Sequence, residues 1–128
     1  MLKALEAFSG ISVNDLAVAK EFYVEKLGLV LKDDSMGLQL ELPGDGQLFI
    51  YDKPAHKPAE FTVLNFVVED IDEAVDHLVS DHGIVFEKYP DVPGQDEKGI
   101  ARGKAANMGP DIAWFKDPAG NILSVLSN

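Results

Sequence analysis

The 128-residue chain has no cysteine. That excludes disulfides, thiolate metal sites and a cysteine nucleophile. Basic residues are scarce: 11 Lys and Arg stand against 22 Asp and Glu, for a net charge of −11, and Arg102 is the only arginine. Such an excess of negative charge repels nucleic acid and anionic membrane at long range, so neither is an expected partner. No apolar run approaches the roughly 20 residues of a membrane helix. The opening "MLKALEAFSG" lacks the apolar core and small-residue cleavage site of a secretion signal. A cytoplasmic location is the expectation. Also missing are the G-x-S-x-G nucleophile elbow, the glycine-rich phosphate loop and the H-E-x-x-H zinc motif.

What is present is a repeat. "VNDLAVAKEFYVEKLGLV", residues 13–30, matches "VEDIDEAVDHLVSDHGIV", residues 68–85, with Val13 on Val68, Asp15 on Asp70, Ala19 on Ala74 and Gly28 on Gly83. In each copy a strand ends in Val, an Asp caps the helix that follows, and a Gly closes it in the left-handed conformation. Leu16, Ala19, Phe22, Tyr23 and Leu27 form one apolar helical stripe; Ile71, Ala74, Val75, Leu78 and Val79 form the other. Three strand-like runs follow each helix: "LVLKD", "GLQLEL" and "QLFIYD" in the first copy, "IVFEKY", "DIAWFK" and "ILSVL" in the second. Laying Gly46 on Gly120 places Leu40 on Trp114 and Ile50 on Ser124. The order is βαβββ twice: a half over 5–52, a Pro-containing linker over 53–60, and a half over 61–128 with a long loop at 91–110.

Two such units resemble the vicinal oxygen chelate superfamily, which includes glyoxalase I, bleomycin- and fosfomycin-resistance proteins and extradiol dioxygenases. The similarity rests on "ISVNDLAVAKEFYVEKLGL", "FVVEDIDEAVDHL" and "AWFKDPAGNILSVL" and spans essentially the whole chain. It implies an α+β fold in which residues 1–128 make a single domain, with two βαβββ repeats curled into a mixed-sheet cup. Homodimers are implied as well. Catalytic members bind a divalent ion through His on the first strand and Glu on the last strand of each half. Carried over by count, those positions fall on Phe8, Val63, Ile50 and Ser124. This is no ligand set for a divalent cation, so neither metal nor cofactor is expected. His56 falls in the linker, and His77 and His82 are five apart on the second helix, a poor spacing for sharing an ion.

Side chains alternate along strands, so the vacated positions mark the cup's inner face. Phe8, Ser12, Leu48, Ile50, Val63, Asn65, Trp114 and Ser124 are the candidate ligand contacts, with Tyr51 and Lys116 at its rim. The face is mostly apolar with sparse polar groups, as small-molecule pockets are; the competing reading is a cup packed shut as core. Arg102, in the long loop with Lys98 and Lys104, is either an anion-clasping residue on a lid or part of a solvated loop. No nucleophile–base pair or other catalytic residue stands out.

The expected function is metal-independent binding of a small, largely apolar molecule, with sequestration of an antibiotic or metabolite as one form. One alternative is a glyoxalase-like lyase or dioxygenase using a divalent metal with non-standard ligands. The other is a non-catalytic structural or interaction module with a filled core.

Overall fold

A computed structural model describes all 128 residues. They fall into two compact units, Met1–Pro58 and Ala59–Asn128. No helix is long and apolar enough to cross a membrane.

The first unit runs β1 (Ser9–Val13), α1 (Leu16–Lys20), β2 (Val30–Asp33), β3 (Leu38–Leu42) and β4 (Gly46–Asp52). Its sheet has the order β1-β4-β3-β2, with β1 parallel to β4 and the other pairs antiparallel. Asp15 caps α1 by accepting the Val18 N–H. The expected single α-helix widens after one turn into a π-helical segment, Glu21–Lys26, where the Leu27 N–H reaches back to the Phe22 carbonyl. The wider turn accompanies burial of the adjacent rings Phe22 and Tyr23, which meet edge to face at 5.1 Å. They close over one face of the sheet, whose buried side chains are Ile11, Val13, Leu38, Leu40, Leu48 and Ile50.

The second unit repeats the order: β5 (Thr62–Val67), α2 (Ile71–His82), β6 (Ala101–Arg102), β7 (Asp111–Lys116) and β8 (Ile122–Ser127). The sheet order is β5-β8-β7-β6. Asp70 caps α2 through the Glu73 N–H, and Gly83 closes it at φ 65°. Ile71, Val75 and Leu78 bury α2 against the face carrying Ala113, Phe115, Leu123 and Val125. The DPAGN turn between β7 and β8 is organised by the buried Asp117 carboxylate, which accepts from the Ala119 and Asn121 backbone N–H groups and from Asn121 Nδ2.

The edge of this sheet departs from expectation. "IVFEKY" does not form a continuous strand. It touches the sheet through a single Phe86–Phe115 bridge and the Glu87 N–H to Trp114 carbonyl bond, and the edge strand is Ala101–Arg102, from within the long loop. Gln95 takes over the backbone pairing that the run would have made: its Oε1 accepts from the Tyr89 N–H, and its Nε2 donates to the Glu87 and Gly99 carbonyls. Pro90 and Pro93, which cannot donate to a ladder, stand where the run would continue. The 91–110 segment thus has buried anchors of its own, Ile100 and Ala101.

Candidate functional site

Each sheet has one face under its helix and one face left open. In the first unit, register assigns the open face without ambiguity. Gly10 pairs with Phe49 and Phe49 with Gln39; Ser12 pairs with Tyr51. Phe8 continues this row and is 63% exposed, Tyr51 is 41% exposed, and Phe49 between them is half-buried. Phe49 meets Phe8 edge to face at 6.4 Å and stacks on Tyr51 at 6.0 Å with an interplanar angle of 19°. The Phe49 ring lies over Gly37, where a Cβ would come within 2.8 Å of it, at a φ of 107° that also favours glycine. A pocket of about 300 Å³ opens beside the row, walled by Phe8, Phe49, Met36, Gln39, Gln47 and Glu6.

This corrects the expected lining at Ile50 and qualifies it at Leu48. Leu48 and Ile50 belong to the helix-covered face and are at most 1% exposed, although Leu48 borders the pocket. Phe49 and Tyr51 take the open face instead. Gly46 and Gly120 are not equivalent: Gly46 already pairs with Leu42 inside the ladder, whereas Gly120 lies in the turn before Ile122. The Gly10–Phe49–Gln39 row corresponds to Asn65–Ser124–Trp114, so the counterpart of Ser124 is Phe49, and that of Trp114 is Gln39.

In the second unit the open face carries Asn65 and Val67, Ile122, Ser124 and Leu126, and Ile112, Trp114 and Lys116. Val63 sits in a register shift between Thr62 and Leu64, so simple alternation from Asn65 does not reach it. Thr62 accepts the Trp114 indole N–H at 3.1 Å. Tyr89 packs edge to face on Trp114 at 5.6 Å. Its buried hydroxyl has no hydrogen-bond partner, and burial raises its pKa above the usual phenol value. Ser124 is fully buried, and its hydroxyl donates to Asn65 Oδ1 at 2.5 Å. Thr62, Tyr89 and Phe49 escaped the sequence reading; the signal for Phe49 was its parity with Gly10, visible only once the strands are paired.

Arg102 does not reach for an external anion. Its guanidinium holds Asp72 through two bonds of 2.8 and 3.0 Å and donates to Asp96 through Nε at 3.1 Å. With Asp111 a further 3.8 Å contact, the fork is filled by the protein's own carboxylates. Hydrogen bonding to Arg102 holds the Asp72 pKa down to about 2, helped by Lys98. Lys98 bridges Asp72 and Asp76. Lys104 donates to Ser127 Oγ at 2.8 Å. Arg102 therefore ties the β6 edge to α2.

The residues do not fit the divalent ion that the family resemblance implies. With the corrected register the four positions hold Phe8, Phe49, Val63 and Ser124, and the one hydroxyl among them is already bonded to Asn65. The histidines are engaged elsewhere. His56 Nδ1 lies 2.7 Å from Ser12 Oγ, drawing the segment after β4 back to the open face. His77 Nδ1 is 2.6 Å from Asp81, and its ring meets that of His82 at 5.2 Å. No three His, Asp or Glu side chains converge as a metal site would require.

Two βαβββ units, each with a helix packed on one face of its sheet and aromatic side chains on the other, define the fold of the vicinal oxygen chelate class. The chain belongs to the Glyoxalase/Bleomycin resistance protein/Dioxygenase superfamily, whose model matches residues 5–125. It is similar to the solved structure of TnmS3, an antibiotic binding protein from Streptomyces sp. CB03234, at 25% identity and a TM-score of 0.66, covering 98% of each chain. A glyoxalase/bleomycin resistance protein from the same strain is 26% identical, with a TM-score of 0.60 over 94% of this chain and 99% of that one. The fosfomycin resistance protein FosX from Listeria monocytogenes shares the fold at 13% identity and a TM-score of 0.67, covering 100% of this chain and 95% of its own. No curated protein matches the sequence.

Proposed function

We propose that the chain binds a small, planar, largely apolar molecule against the open face of its sheets, without a metal, and holds the molecule unchanged. The observation that carries this reading is the row Phe8–Phe49–Tyr51, left uncovered by the helix beside a pocket of about 300 Å³. Exposed aromatic rings on one face are costly in water and are retained where a ligand covers them. A few amides among apolar walls match the make-up of small-molecule sites. The similarity to an antibiotic binding protein supports sequestration of an antibiotic or metabolite as the use of that site. The same reading takes residues 1–128 as one binding domain, in a homodimer as the family resemblance implies, and places it in the cytoplasm on the composition of the sequence.

The test is a fluorescence titration with acridine, a neutral three-ring probe, on the wild-type chain and on Phe49→Ala. The wild type is expected to bind saturably. Phe49→Ala, with circular dichroism showing it folded, is expected to lose about tenfold in affinity, the scale of one aromatic contact with its burial. Equal binding by the two proteins would remove the open face as the site.

A further inference from the structure

We infer that the pocket beside Phe49 selects a planar organic cation, a fused-ring or aryl compound carrying an amine or quaternary nitrogen. The inference rests on the proposed function and names the ligand class of that site. Of the seven residues that line the pocket, Leu48 included, only one is charged, the carboxylate of Glu6. No Lys, Arg or His lines it. Glu6 and Phe8 both line the pocket from the segment just before β1, so the segment that supplies the first ring supplies the charge as well.

The remaining walls suit the same ligand. Aromatic faces carry negative quadrupole potential, and a cation over Phe or Tyr is attracted to it. Phe8 stands edge-on to Phe49 while Tyr51 stacks on it, so a flat guest has ring faces and edges to meet. Met36, 81% exposed, adds a flexible, polarizable thioether to the same lining. Gln39 and Gln47 supply amide carbonyls, which accept from an N–H cation, and amide N–H groups, which serve ring nitrogens or carbonyls. An anionic guest would meet a carboxylate and no counter-charge. A volume of about 300 Å³ lies at the lower end of small-molecule sites and is far too small for a protein partner.

The protein's −11 net charge attracts any cation from a distance, so the experiment must separate the pocket from the bulk. Three probes share one ring system and differ in charge: 9-aminoacridinium, neutral acridine and acridine-9-carboxylate. Each is titrated into the wild type, Glu6→Gln and Glu25→Gln, the last removing one exposed carboxylate from the π-helical segment outside the pocket. The wild type is expected to favour the cation over acridine by about tenfold, and acridine over the carboxylate. Glu6→Gln should erase most of that preference, and Glu25→Gln, outside the pocket, should keep it. Acridine and 9-aminoacridinium binding within about twofold of each other in the wild type would overturn the inference and leave the proposed function standing. So would an equal loss of preference in both variants. Failure of all three probes to bind would overturn the proposed function itself.

Discussion

Ser124 is where the family's chemistry and this chain part. A carboxylate on the last strand would present oxygens to an ion; the serine hydroxyl is fully buried and turned onto Asn65 Oδ1 at 2.5 Å. The bond crosses from β8 to β5 and fixes the Asn65 amide on the open face. Ser124→Ala removes the donor while Asn65, on the exposed side, regains water. The expected cost is therefore modest, about 1 kcal/mol of unfolding free energy by urea denaturation, the net worth of one such bond. A loss several times larger would mean that the hydroxyl has a further structural role. Phe49 carries the complementary lesson: one residue from Ile50 in sequence, it lies on the opposite face of the sheet, and the ligand row changes identity with it.

At the scale of elements, both helices, their Asp caps and seven of the eight strands were legible, because each is written in local chemistry: a cap, an apolar period and a stopping glycine. Three features were not. The π-helical turn accompanies the burial of both Phe22 and Tyr23, which no periodicity encodes. The β6 edge is not legible in the strand-like run "IVFEKY", because the pairing is decided by Gln95 and by the Arg102–Asp72 tie, contacts made across the chain. The faces of β4 are not legible from Gly46 and Gly120, because these glycines stand in hairpins of different length, residues 43–45 against 117–121. The eight candidate ligand residues divide accordingly. Phe8, Ser12, Asn65, Trp114 and Ser124 lie in open-face rows, Leu48 and Ile50 lie beneath the helix, and Val63 is displaced by the register shift.

The Arg102–Asp72 tie also sets a pH dependence. The Asp72 pKa is lowered in the fold from 3.8 to about 2. The stabilisation is therefore complete above the unfolded value and is lost as pH falls through the folded one. Because the Asp72 side chain is 45% exposed, screening reduces the contribution to about 1 kcal/mol. Arg102→Ala should be less stable than wild type by about that amount at pH 7. The gap should narrow between about pH 4 and pH 2, as measured by urea unfolding across that range. A gap that stays constant down to pH 2 would show that the tie stabilises by packing of the arginine stem.

For the whole molecule, a net charge of −11 disfavours nucleic acid, and the absence of cysteine excludes thiolate chemistry. The positions to which the family resemblance carries the metal ligands hold two phenylalanines, a valine and a serine bonded to Asn65. What the chain retains is the βαβββ scaffold, used twice, with an aromatic surface held open by sheets whose other faces are packed under helices. The central claim is binding without a metal. Its most direct test is an acridine titration of protein stripped with EDTA and dialysed, repeated after adding Mn²⁺, Fe²⁺, Ni²⁺ or Zn²⁺. The account predicts saturable binding by the stripped protein with an affinity unchanged by any of the four ions. Binding that appears only when one of them is restored would contradict it and return the chain to the metal-dependent members of its superfamily.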